Sequence, residues 1–227
     1  MADFDEYSSK YQTVLNQALS ITGEDSSYYG GERVRQLQAA LTRLGIAPQR
    51  ILDFGCGSGR GTVFLSRIHG MKSLLGIDVS AKSIAAARDM NDEKAQFMTC
   101  SEFTGSEDAD LIFCNGVFHH IAPDERLQWL KFLFKSCKTF GLLSFWENNP
   151  WNLGTRLVMS KCEFDYDAIP LAIPEAKRLL QMAGFTPLVL QTAFYFPHSL
   201  RALRRLEPLL ASVPLGGQYH LLCRKVG

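Results

Sequence analysis

The 227-residue chain has six cysteines, Cys56, Cys100, Cys114, Cys137, Cys162 and Cys223, but no C-x-x-C pair. That spacing argues against a zinc ribbon or a dithiol redox centre, and no metal is expected. No apolar run approaches the roughly 18–20 residues of a membrane span. Neither charge is in excess: 24 Lys and Arg against 23 Asp and Glu leave a net +1. With no basic block either, a nucleic-acid partner is not expected. Internal repeats and low-complexity linkers are missing, which excludes solenoids and arrays. The start, "MADFDEYSSKYQ", is acidic and polar, with no apolar secretion segment behind it. The cysteines therefore read as buried, reduced thiols of a cytoplasmic protein. A hydrophobic content of 46% against 21% charged residues suits one soluble globular domain over 1–227.

What is present is an alternation of strands and helices. Val34, Leu37, Leu41 and Leu44 recur at helical spacing, and Gly45 stops that helix. "RILDF" reads as a strand and "GTVFLSRIHG" as a helix ending at Gly70. "SLLGIDV" is a second strand, and Ser80 caps the helix "AKSIAAARDM". "AQFMTC" is a third strand, and "ADLIFCNGVF" a fourth, apolar throughout as a strand covered on both faces should be. Pro123 opens a helix with Leu127, Leu130, Phe134 and Cys137 inward, and "TFGLLSFWE" is the fifth strand. Pro174 opens a helix that Gly184 closes, followed by strands "PLVLQTAFYF" and "GQYHLLCRK". The expectation is an α/β fold: a doubly wound, seven-stranded, mostly parallel sheet with a small helical cap. Residues 1–30, rich in tyrosine, read as a lid. Residues 195–216 read as a cap, with "RALRRLEPLL" as an amphipathic helix whose arginines face solvent.

Ligands of such sheets lie beyond the carboxyl ends of the strands. There the chain places Asp53, then Gly55, Gly57 and Gly59, then Asp78 and Asn115. Glycines in that loop let backbone approach a ligand with no Cβ in the way. A dinucleotide fingerprint needs a further glycine at position 60 or 62, where Arg60 and Thr62 stand. A pyrophosphate would also be repelled by Asp53, whereas a cationic ligand would welcome it. The pattern D-x-G-x-G-x-G resembles the first motif of class I S-adenosylmethionine (AdoMet) methyltransferases, and "GIDVSAKSIAAAR" resembles the second. "NGVFHHI" is similar to the strand-four motif of the small-molecule branch (methyltransferase types 11 and 12), and "LLQMAGF" to the helix before strand six. The resemblance covers most of the chain.

That resemblance implies a Rossmann-like fold that binds AdoMet and releases S-adenosylhomocysteine (SAH). The cofactor would lie against Asp53, Gly55, Cys56, Gly57, Gly59, Asp78, Val79 and Asn115, with Asp78 on the ribose hydroxyls. The family's aspartate after strand three is absent, so Ser101 or Glu102 takes the adenine amino group. "GERV" resembles the entry helix of this branch, making Arg33 a candidate for the methionine carboxylate, with Tyr28 or Tyr29 beside it. His120 stands where phosphoethanolamine methyltransferases have a catalytic histidine, which pairs with a lid tyrosine; Tyr7 or Tyr11 would be the counterpart. His119 is the second candidate base. The loop after strand five, similar to an E-x-N-P-x-N-x-x-T-R pattern of bacterial methyltransferases, suggests an acceptor pocket from Trp146, Glu147, Asn148, Asn149, Trp151 and Arg156. A sugar or natural-product acceptor is the expected class, with the oligomeric state open. Two other readings compete: a subunit that binds AdoMet without turnover, and an NAD(P)-dependent oxidoreductase.

Overall fold

The computed structural model describes residues 10–89, 94–105 and 108–226. Helix α1 (Tyr11–Leu19) and a 3-10 turn (Ser20–Thr22) lead into α2 (Ser26–Leu44). The Asp25 side chain caps α2 by accepting from the Tyr28 N–H at 2.9 Å, and Gly45 ends it in the left-handed conformation. The alternation then runs β1 (Arg50–Phe54), α3 (Thr62–Leu65), β2 (Ser73–Asp78), α4 (Ala81–Arg88) and β3 (Ala95–Thr99). It continues with β4 (Ala109–Asn115), a 3-10 turn (Phe118–His120), α5 (Arg126–Ser136) and β5 (Cys137–Asn148). Beyond these come α6 (Leu153–Ser160), a 3-10 turn (Glu163–Asp165), α7 (Ile173–Met182), β6 (Phe185–Ala193), a 3-10 segment (His198–Leu206), α8 (Glu207–Leu210) and β7 (Gln218–Lys225).

The seven strands form one sheet in the order β3-β2-β1-β4-β5-β7-β6. Strands β1 to β5 pair in parallel, and β7 runs antiparallel to both neighbours. Neighbouring residues on each strand bury on opposite faces, as the pleat requires. Leu52, Ile112, Leu143 and Leu221 pack under α5 and α7, with Leu130, Leu133, Ala176 and Leu180. Ile51, Leu111, Leu142 and Leu222 pack under α2, with Val34, Leu37 and Leu41. Both faces are therefore covered, which is why β4 and β5 read as near-continuous apolar runs.

Three elements differ from the sequence-based expectation. The helix expected over "GTVFLSRIHG" is one turn, α3, followed by irregular turns. Cys137 does not sit on the helix: it is extended and begins β5. The expected amphipathic cap helix is mostly 3-10, buries none of its residues, and leaves Leu200, Leu203 and Leu206 partly exposed. A 3-10 segment stacks every third residue, so an apolar stripe spaced for 3.6 residues per turn cannot bury as one face. It is tied down instead by Glu24, which takes Arg204 at 2.7 Å and His198 at 2.9 Å, while Arg204 lies over the Tyr28 ring. No helix among the described residues is long and apolar enough to cross a membrane.

Candidate active site

A cleft of about 1190 Å³ opens at the carboxyl ends of β1, β2 and β4. Its floor is the glycine loop. Gly55 has φ +74°, and a Cβ there would meet the Val117 side chain at 2.3 Å, so only glycine fits. Gly57, at φ +53°, faces open space, while Gly59 turns the loop without lining the cleft. The Gly57 N–H donates to Asp78 Oδ2 at 2.8 Å, and the Ser80 N–H donates to its Oδ1 at 2.9 Å. These two bonds hold the Asp78 carboxylate at the mouth of β2. Burial and the neighbouring Asp78 charge push the Asp53 carboxyl up to about 7. Asn115 Oδ1 is buried and accepts no hydrogen bond among the described residues. Cys56, Val79 and Cys100 complete this wall. Arg33 enters from α2, with Nε on Gln218 Oε1 at 2.8 Å. Burial lowers it to about 10, so it stays charged at neutral pH. Tyr29 lies beside it, edge-on to Phe194 at 5.0 Å.

The opposite wall is built on the turn after β4. His119 Nδ1 lies 2.7 Å from Glu147 Oε2, and Glu147 Oε1 accepts the Phe118 N–H at 2.6 Å. His119 Nε2 and His120 Nε2 lie 3.5 and 3.4 Å from one oxygen, Asp165 Oδ1. Burial works against a charge on His119, but the Glu147 and Asp165 carboxylates outweigh it and push the imidazole up to about 10. Burial and the charge on His119 depress His120 to about 4. Tyr11 lies flat on Phe164 at 4.5 Å, next to Asp165. Burial, then the Asp165 charge, raise its phenol, which stays protonated.

Fully buried Arg126 holds this wall together. Its Nε donates to the Phe118 and Ile121 carbonyls, each at 3.1 Å, and its Nη2 to the Ile169 carbonyl at 2.5 Å. The Ile169 N–H in turn donates to the His119 carbonyl at 2.8 Å. One guanidinium thus ties the histidine turn to the segment carrying Asp165.

Most candidates from the sequence reach this cleft, including Arg33, Tyr29, Tyr11, His119, His120 and Asn148. Others do not. Trp146 is fully buried in the core on the α2 side, stacked on His220 at 4.2 Å. Glu147 acts behind His119 rather than at the wall. Asn149 is a buried clamp, donating to the Pro214 and Gly216 carbonyls at 3.0 and 2.8 Å. Trp151 and Arg156 are exposed on the outer side. Alternation along β5 sends Trp146 and Glu147 to opposite faces, while Asn149, Trp151 and Arg156 lie beyond the strand, on the turn and on α6. Ser101 and Glu102 turn outward too, Glu102 accepting the Thr99 N–H at 2.7 Å; Cys100 lines the cleft in their place. Tyr7 lies outside the described residues. Sequence reasoning missed Asp165, Phe164 and Arg126. No motif joins "CEFD" to "HHI", and the contact exists only through the fold.

This strand order, with an antiparallel β7 and a glycine loop between two acids, is the fold of the class I S-adenosylmethionine-dependent methyltransferases, which this chain shares. Residues 52–143 match the family described as a methyltransferase domain. A trans-aconitate 2-methyltransferase of Rhodopseudomonas palustris is 30% identical over 115 residues, 50% of this chain. The match spans 44% of that relative, so the likeness is partial. An uncharacterized methyltransferase of Synechocystis sp. is 26% identical over 77% of this chain and 83% of its own length. Among solved structures, a SAM-dependent methyltransferase of Thermotoga maritima, a possible histamine N-methyltransferase, superposes with a TM-score of 0.69. It is 19% identical and covers 98% of this chain and 97% of its own. The plantazolicin methyltransferase, solved with SAH and a triazolic desmethylPZN analogue, gives 0.64 at 18% identity, covering 99% of this chain and 100% of its own. At such identities the likeness speaks for the fold.

Proposed function

We propose that the chain transfers a methyl group from AdoMet to a small-molecule acceptor. The observation that carries this is one cleft of about 1190 Å³ bounded by the acid–glycine wall and the histidine–carboxylate wall. Pockets that hold one small ligand run to roughly 300–1,000 Å³, so this cleft has room for cofactor and acceptor side by side. The residues present fit AdoMet. Asn115 offers an unused buried acceptor, and Asp53 makes no ion pair among the described residues. Asp78 would hold the ribose hydroxyls, Asp53 the ammonium and Arg33 the carboxylate, with Val79 and Cys100 flanking the base. When bound, the cofactor supplies an electrophilic methyl group on sulfur.

The protein's part is alignment and dryness, which can supply about 7–11 kcal/mol of a barrier. His120, neutral near pH 7, is the nitrogen placed to take a proton from the acceptor. Glu147 orients His119 behind it. The apolar patch of Leu15, Val158 and Phe164 on the cleft wall suits the body of the acceptor. Asp165 and Glu125 on the wall disfavour a polyanion, so the reading is a neutral or amine-bearing acceptor of natural-product type. Two structural neighbours, a possible histamine N-methyltransferase and the plantazolicin methyltransferase, support that class.

Calorimetry with SAH should show one site. Asp78→Ala should lose about 1.5–3 kcal/mol of binding, roughly ten- to 150-fold, as charge-assisted hydrogen bonds go. Turnover of AdoMet to SAH on a panel of amines and alcohols with apolar bodies completes the test. No SAH or AdoMet binding at millimolar ligand overturns the reading. A thermal shift with NAD(P) instead returns the oxidoreductase, and binding without turnover leaves a cofactor-binding subunit.

A further inference from the structure

We infer that the cleft wall carries a divalent transition-metal site formed by His119 Nε2, His120 Nε2 and Asp165 Oδ1. The three donor atoms lie within 4.8 Å of one another. Both nitrogens sit 3.4–3.5 Å from the same carboxylate oxygen. A tetrahedral ion with bonds of 2.0–2.1 Å spaces its ligands about 3.3 Å apart, so little movement separates this arrangement from a coordination shell.

Three further observations point to a cation. Asp165 Oδ1 is buried and accepts no hydrogen bond of normal geometry among the described residues, the two ring nitrogens standing off at 3.4–3.5 Å, an expensive state for a carboxylate. His119 Nδ1 is engaged by Glu147 at 2.7 Å, which leaves Nε2 as the ring nitrogen aimed at the cluster. A carboxylate on the far nitrogen is the usual way a protein orients a metal-bound histidine. Finally, all three ligands line the cleft whereas Glu147 does not. An ion held by three protein groups on an open wall keeps a coordination position for an acceptor oxygen or nitrogen. Two imidazoles and one carboxylate favour zinc, cobalt or nickel over magnesium or calcium.

The site deepens the methyltransferase reading and rests on it only for what fills the open position. A nitrogen that binds an ion cannot also take a proton, so in the loaded site the ion would lower the proton affinity of a coordinated acceptor and that proton would pass to solvent.

The test titrates the chelator-stripped 227-residue chain with Zn²⁺ by calorimetry and with Co²⁺ by visible absorption. SAH calorimetry on the same preparations reads the cofactor site separately. One ion per chain is expected, with affinity falling about tenfold or more in Asp165→Asn and His120→Gln, and about ten- to 100-fold in Glu147→Gln. Affinity weaker than about 1 mM, binding unchanged by these substitutions, or a sulfur-to-cobalt band marking cysteine ligation would each overturn the site, even where SAH still binds. Anomalous diffraction from a Zn²⁺-soaked wild-type crystal avoids any dependence on variant folding. A peak about 2.0–2.2 Å from the three named atoms supports the site, and a peak elsewhere or none rejects it.

Discussion

Asp53 is a carboxyl placed where water is scarce and a second carboxylate, Asp78, is near, and the two effects raise it to about 7. The sign is opposite to that of an ion-paired acid. The folded state holds the Asp53 proton more tightly than the unfolded chain, whose carboxyl titrates near 4. Its contribution to stability is therefore most favourable below pH 4, falls as pH rises from about 4 to about 7, and is flat beyond. Denaturant titrations of the ligand-free protein across pH 4–8 should show this decline, and Asp53→Asn should remove it. A cationic ligand group should reverse the cost, so AdoMet binding should tighten toward pH 7 and release protons, which calorimetry in buffers of differing ionisation enthalpy measures. Asp53 was legible in the sequence because the acid precedes a glycine loop. Its unusual proton affinity was not, because that depends first on burial in the folded chain and then on Asp78 coming close through the pairing of β1 with β2.

At the scale of elements, the histidine wall depends on the link between the 3-10 turn Phe118–His120 and the segment 165–169. Arg126 makes that link from the first turn of α5 by donating to three backbone carbonyls, and Glu175 meets it at 3.3 Å. Arg126→Met keeps the volume but strips the carbonyls of their donors. The expected cost is about 3–5 kcal/mol, as when one partner of a buried charged network is removed. Chemical denaturation should show it. Amide exchange should rise at His120 and Ile169, whose N–H groups donate within this link, while β1 and β2 stay protected, since those strands pack elsewhere. The helix α5 was foreseen from its apolar spacing, but a buried arginine on it was not, because helical periodicity carries no information on which carbonyls a distant loop will present. The same blindness misplaced the residues around the end of β5: Trp146, Asn149 and Trp151 looked like a pocket in sequence, but the pleat buries Trp146 in the core, and the turn beyond the strand makes Asn149 a clamp and leaves Trp151 exposed.

For the whole molecule, α1, the start of α2 and residues Phe194–Pro197 meet over the cleft, with Glu24 joined to Arg204 and His198 across the join. A ligand enclosed there binds only the folded chain. At a hundred times its dissociation constant it should add about 2.7 kcal/mol of stability. For a chain of this size, each kcal/mol raises Tm by about 2–4 °C, which predicts a shift of about 5–11 °C with SAH and none with NAD(P). A thermal melt in the two ligands checks it.

The one-dimensional pattern was enough to determine the αβ alternation, the seven strands and the acid–glycine wall. These rest on local rules: apolar period, caps, and glycine where a Cβ has no room. The tertiary structure alone decided the opposite wall. His119, His120, Glu147 and Asp165 come from three separate stretches, and they meet because β5 lies beside β4 and Arg126 draws the 165–169 segment over the turn. Through-space electrostatics follows that meeting and not chain order, so charge states and ligand geometry were invisible until the chain was folded.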